Sequence, residues 1–151
     1  MKILQALTLS ALIALPATAM AQDRDLALEE ANRTVVVDFY NTVFNDHDVA
    51  KGAAVLVDSY KQHNPTVPDG KAPFVDHFTQ YFKDNADAQS KIVQSSATDD
   101  LVWLHVHSTK NDEDRGRAIV DIFRVKDGKI TEHWDVIQPV PETAANDNTM
   151  F

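Results

Sequence analysis

Three short segments in the C-terminal half set histidines and carboxylates into period-two hydrophobic patterns. They are Trp103-Leu104-His105-Val106-His107, Ile119-Val120-Asp121-Ile122-Phe123 and His133-Trp134-Asp135-Val136-Ile137. Side chains alternate faces along a strand, so His105 shares a face with His107, and His133 shares one with Asp135. Asp121 stands between Ile119 and Phe123. If these faces coincide, three imidazoles and two carboxylates share one apolar cavity. Burying so many ionisable groups is costly without hydrogen-bonded partners, so the cluster is the best pointer to function.

Each residue carries a chemical and a plain structural reading. Asp121, desolvated between apolar neighbours, can donate a hydrogen bond to a developing oxyanion or shuttle a proton. It can also simply pair with a cross-strand histidine, and a register placing His105 opposite it would build that pair. His133 and Asp135 read as a second acid/base pair, or as a network stitching the last strand into the sheet. His105 and His107 form a two-histidine arm that His133 and a carboxylate could complete around a metal. His-x-His is a loose pattern, however, and polar pocket lining is the reading adopted, with no metal ligand assigned. His63, just before Asn64-Pro65, reads as a pocket-rim residue for binding or proton transfer, or as a turn residue. Tyr40 is an oxyanion donor or a core tyrosine. Trp103, Phe123 and the stripe Phe74, Phe78, Tyr81, Phe82 serve as core or pocket lining.

The elements that must position these groups follow from spacing. Leu28, Ala31, Val35, Phe39 and Val43, widened by Val36 and Tyr40, predict a helix over Asp25 to Phe44. Asp46 or Asp48 can cap a short helix over Val49 to Val57. Asp58 to Pro68 is expected to be extended or irregular, because Pro65 and Pro68 disfavour helix before them. Pro73 suits the first turn of a third helix that ends near Asn85. Four strands follow, roughly Lys91 to Thr98, Leu101 to Thr109, Arg117 to Val125 and Ile130 to Pro139. Asp127-Gly128 supplies a hairpin turn between the last two. Helices first and antiparallel strands after predict an α+β domain. Val102, Leu104, Val106, Val120 and Ile122 are assigned to the face away from the cluster. That leaves two apolar faces and predicts a homodimer through the outer one.

Residues 1–21 read as a secretory signal, with an apolar run from Ile3 to Leu15 and Ala19-Met20-Ala21 before a cut at Gln22. A periplasmic or secreted bacterial protein is the expectation, with residues 22–141 as the domain and 142–151 as a tail. Loss of Lys2 with the leader takes the net charge from −9 to about −10. An acidic domain without a basic cluster argues against nucleic acid and against anionic membrane surfaces. With no cysteine, stability must come from packing, and thiol chemistry is excluded. The absence of G-x-S-x-G argues against covalent serine hydrolysis.

The stretches Tyr60-Lys-Gln-His63-Asn64-Pro65, Val120-Asp121-Ile122-Phe123-Arg124-Val125 and Asp127-Gly128-Lys129-Ile130-Thr-Glu132-His133-Trp134-Asp135-Val136 resemble the nuclear transport factor 2-like superfamily. Within it the chain looks most like the SnoaL-like polyketide cyclases. The resemblance implies a cone-shaped barrel, with three N-terminal helices packed on a curved, mainly antiparallel sheet. It also implies an apolar pocket, metal-free and cofactor-free chemistry, and usually a dimer. A more distant similarity to ketosteroid isomerases implies an oxyanion-hole tyrosine at Tyr40 and a protonated aspartic acid at Asp121. Their catalytic base falls on Asn64, which cannot act as one, so His63, His133 or Asp135 must take that role. The expected activity is acid/base chemistry on a small apolar carbonyl compound: aldol-type cyclisation, isomerisation or dehydration. Asp121 is the acid, a histidine (His63, His105 or His133) tuned by Asp135 is the base, and Tyr40, Asn64, Trp103, His107, Phe123 and Phe78 contact the ligand. The alternatives are a non-catalytic small-molecule binder of the same fold and a histidine-coordinated metal protein.

Overall fold

The computed structural model describes residues 23–151. The expected signal segment, residues 1–21, and the cleavage point before Gln22 lie outside the described residues. Three helices come first in the order α1 (Leu26–Phe44), α2 (Val49–Gly52), β1 (Leu56–Gln62) and α3 (Lys71–Asp84). The strands β2 (Gln89–Thr98), β3 (Leu101–Thr109), β4 (Arg117–Lys126) and β5 (Lys129–Pro139) follow. Sheet order is β1-β5-β4-β3-β2. All neighbours are antiparallel except β1 and β5, which run parallel. The fold is therefore α+β, with the helices on one side of a mixed sheet. That sheet is open, with β1 and β2 as its edges, rather than a closed barrel.

Helix α1 begins where Asp25 accepts a hydrogen bond from the Leu28 N–H at 3.0 Å, satisfying an otherwise orphan donor of the first turn. Its buried stripe is Val36, Phe39, Tyr40 and Val43, continued N-terminally by Glu29 and Asn32. The expected stripe through Leu28 is rotated, and Leu28 is exposed. The polar pair is buried because it grips the β2–β3 turn: Asn32 Nδ2 donates to the Asp99 carbonyl and Asp99 N–H donates to Glu29 Oε1, each at 3.1 Å. At the other end Asn45 exchanges two hydrogen bonds with the Ser90 backbone. The two ends of α1 are thus tied to β2 and to the turn that follows it, which fixes where Tyr40 falls on the sheet.

Asp48, rather than Asp46, caps α2. Gly52 there lets α2 touch α1, since a Cβ at this position would lie 2.4 Å from Val43 Cγ2. The expected longer helix stops there, and a 3-10 turn over Ala53–Val55 leads into β1. The β4–β5 hairpin turns on Asp127 (φ 50°) and Gly128 (φ 70°), the paired positive φ values of a type I′ turn. On the helix side, Val102, Leu104, Val106, Ile119, Phe123, Val125 and Ile130 pack beneath Phe39, Val43, Tyr60 and Phe74. Each fully buried aliphatic or Phe side chain of this kind contributes roughly 1.5–3 kcal/mol.

This packing corrects one expectation. Val102, Leu104 and Val106 face the helices, so Trp103, His105 and His107 face outward. The expected phase of β3 was inverted. Its register with β4 pairs Leu104 with Asp121 and His105 with Val120. Among the described residues, no helix is long and apolar enough to cross a membrane.

Candidate active site

A cavity of about 220 Å³ opens between α1, α3 and the concave face of the sheet. That is larger than the ~150 Å³ apolar cavity known to hold benzene. Its body is aromatic, from Phe39, Phe44, Phe74, Phe78 and Phe82, and its polar end comes from β1, β4 and β5. Cross-strand pairing builds that end. Asp121 lies directly opposite Asp135, Phe123 opposite His133, and Gln62 beside His133. Like charges directly opposite each other destabilise a sheet, so Asp121 and Asp135 need the partners described next.

Asp121 is 5% exposed. Its Oδ2 accepts the Tyr40 hydroxyl at 3.0 Å and its Oδ1 lies 2.9 Å from His133 Nε2. His133 Nδ1 lies 2.7 Å from Gln62 Oε1, which also receives the Asn64 backbone N–H at 3.2 Å. A backbone N–H can only donate, so the atom it meets must be the amide oxygen. His133 Nδ1 therefore carries a hydrogen. The remaining contact, Nε2 to Asp121 Oδ1, must hold one proton, as imidazolium with carboxylate or as imidazole with carboxylic acid. Tyr40, Asp121, His133 and Gln62 thus form a continuous chain, buried from Tyr40 to His133 and half-buried at Gln62.

Asn64 is fixed by the same logic. Its Oδ1 accepts the Thr66 N–H at 2.9 Å and the Thr66 hydroxyl at 2.7 Å. Its Nδ2 must then face Asp135, donating to both carboxylate oxygens at 3.0 and 2.7 Å. Asn64, unable to be a base itself, orients a carboxylate from the neighbouring strand. Burial raises the Tyr40 phenol well above its ordinary range, and the Asp121 charge adds to this. Burial, then the charges of Asp121 and Asp135, likewise push the Tyr60 phenol far up. Both stay protonated at neutral pH, and Tyr40 donates to Asp121.

The site gathers Asp121, His133, Asp135, Tyr40, Asn64, Phe123 and Phe78. It leaves out four residues that the sequence suggested. Trp103, His105 and His107 lie on the outer face because of the β3 phase, and Phe151 stacks over His107 with ring centroids 4.2 Å apart. His63 is also outside. Its ring stacks on Trp134 at 4.5 Å and its Nε2 is 2.7 Å from Glu132 Oε1, because alternation along β1 and its continuation sends Gln62 and Asn64 inward and His63 outward. Tyr60, Gln62, Ser90 and Arg117 line the cavity without having been singled out. Two-residue spacing of Tyr60, Gln62 and Asn64 was the available signal.

Asp121, His133 and Asp135 offer ligand atoms within 4.8 Å of one another. A cation seated there would displace the proton held between His133 and Asp121, so metal and proton compete for the same two atoms.

The family model for the SnoaL-like domain matches residues 36–133. No curated protein matches the chain. Among solved structures, a candidate ketosteroid isomerase from Kribbella flavida superposes with a TM-score of 0.65 at 20% identity, covering 78% of this chain and 85% of its own. A SnoaL-like protein of unknown function from Burkholderia thailandensis gives 0.63 at 15% identity, covering 72% and 96%. AclR, a candidate hydroxylase from Streptomyces galilaeus, gives 0.61 at 21% identity, covering 73% and 90%. These likenesses establish a shared fold.

Proposed function

The chain belongs to the SnoaL-like domain family, and from that premise we propose that it catalyses proton transfer next to the carbonyl of a small, largely apolar compound. Isomerisation, dehydration and aldol-type cyclisation all begin with that step. The observation that carries the reading is the hydrogen-bonded Tyr40–Asp121–His133–Gln62 chain with the Asn64-oriented Asp135 carboxylate beside it. Asp135 is the base that removes the proton from carbon. The one proton held between Asp121 and His133 passes to the oxygen that becomes negative as the Asp121–His133 hydrogen bond opens, in a cavity whose aromatic walls strengthen the new hydrogen bond. Tyr40 holds Asp121 in place. Neither His63 nor His105 takes part, because both face away from the cavity.

Acetophenone in D₂O tests this directly, since its methyl protons exchange for deuterium when a base acts and NMR follows the loss. The protein should accelerate exchange. Asp135→Asn and Asp121→Asn should each slow it about a hundredfold or more, the usual contribution of a positioned acid or base, with acetophenone still bound. Binding without accelerated exchange in the wild type would instead make the protein a non-catalytic carrier.

A further inference from the structure

Arg117 shares the inward face of β4 with Ile119 and Asp121 by alternation, and its side chain lines the cavity. It is the one lysine or arginine among the residues lining that cavity. Among the described residues its guanidinium has no hydrogen-bond or ion-pair partner, whereas Arg24, Arg33 and Arg124 are each paired with a carboxylate. The two acids of the site are already engaged, Asp121 by Tyr40 and His133 and Asp135 by Asn64. On the loop side, Asp114 spends its oxygens on the backbone N–H groups of Lys110 and Gly116. The β3 neighbour of Arg117 is Ser108, whose hydroxyl bonds Ser90, and its β5 neighbour is Pro139. Neither carries a charge. An arginine is always charged and presents five donors in a planar fork that fits a carboxylate. The backbone N–H groups of Gly116 and Lys110, and more weakly the Arg117 charge, hold the Asp114 carboxyl low, but no carboxylate among the described residues is salt-bridged to Arg117. In a protein of net charge −9, a cation without a salt-bridged acid where a cavity opens has a ligand's acid as its natural partner.

We propose that Arg117 is an anion clamp, and that the substrate is an apolar carbonyl compound bearing a carboxylate remote from the reacting carbon. Asp121 lies four residue steps beyond Arg117, about 13 Å along β4, a span that the long arginine side chain shortens. Clamp and acid therefore grip opposite ends of one ligand lying along the aromatic wall. The substrate class rests on the proton-transfer reading, but the clamp itself is a binding property and is measured without turnover.

The probes are 4-acetylbenzoate and acetophenone, which differ only in the carboxylate. Calorimetry or NMR titration on residues 22–151 should show about tenfold or tighter binding of 4-acetylbenzoate, the scale of a charge-assisted hydrogen bond. Added NaCl should erode that preference. Arg117→Gln should abolish the preference, and Arg117→Lys should keep part of it, since a point charge replaces a fork. Circular dichroism confirms that both variants fold. Equal affinity for the two probes in the wild type, no binding of 4-acetylbenzoate, or a preference surviving in Arg117→Gln would each overturn the clamp. A wild type that prefers 4-acetylbenzoate but accelerates no exchange keeps the clamp and loses the catalyst.

Discussion

Tyr40 and Tyr60 place two phenols beside carboxylates inside the fold, and that arrangement has a consequence on the alkaline side. Both are raised, first by burial and then by the negative charge of Asp121, joined for Tyr60 by Asp135. An acid whose folded pKa exceeds its unfolded one, about 10 for tyrosine, contributes its full stability below that value. The contribution is lost as pH rises past it, because the unfolded chain releases protons that the fold retains. Phenolate absorbance of these two residues should therefore appear only together with loss of near-ultraviolet dichroism. Two tyrosines ionising reversibly in an intact fold would show that the cavity admits solvent and charge freely. In Tyr40→Phe this coupling should shrink by one phenol, and the fold should lose about 1–3 kcal/mol, because Asp121 Oδ2 loses its buried donor.

Strand β5 is the element on which both sides of the molecule depend. Its inward residues His133 and Asp135 make the site, while outward-facing Glu132 gathers His63, Lys61 and Arg124. Trp134 lies between His63 and Arg124. The His63 hydrogen bond, then Arg124, holds the Glu132 carboxyl below its ordinary range. For a depressed carboxylate the stability is present above the unfolded value near 4.5 and is lost as pH falls through the lower folded value. Glu132→Gln should flatten the acid limb of a stability–pH curve between about pH 5 and 3, by no more than about 1 kcal/mol for so peripheral a pair. An unchanged limb would show that the pairing contributes nothing. Strands were the most legible elements from sequence. Leu101–Thr109 was delimited by its pattern, and Asp127-Gly128 marked its hairpin, because both signals are local. The phase of β3 was not local. Over 102–107 its even residues are aliphatic and its odd ones aromatic or imidazole, so either set could have been buried. The Lys110–Gly116 connection carries no turn signal that sets parity, and a one-residue slip exchanges every side chain between faces. The same reasoning explains β1, where two prolines just beyond the strand obscured the alternation that brings Gln62 and Asn64 inward.

At the scale of the whole molecule, the outer face of the sheet is the unfinished surface. Val136 is 71% exposed, and Trp103 and Val120 are each 40% exposed, a contiguous set on β3, β4 and β5 by register. The chain's own C-terminus covers one end of this face, where Phe151 stacks on His105 and His107. It leaves Val136 uncovered. Large exposed apolar patches on a soluble domain mark contact surfaces, and a two-fold axis lets one such patch pair with itself. We therefore expect a homodimer through this face, with the cavity of each copy opening on the opposite side. Light scattering on residues 22–151 should give twice the monomer mass. Val136→Lys, which sets like charges near the axis, should shift it to monomer at micromolar concentration while leaving acetophenone exchange in place, because Val136 and the Asp135 carboxylate lie on opposite faces of β5. A wild-type monomer would assign the exposed valines and tryptophan to some other contact. A dimer undisturbed by Val136→Lys would move the interface to an edge strand, β1 or β2, where unpaired backbone groups are the alternative means of association.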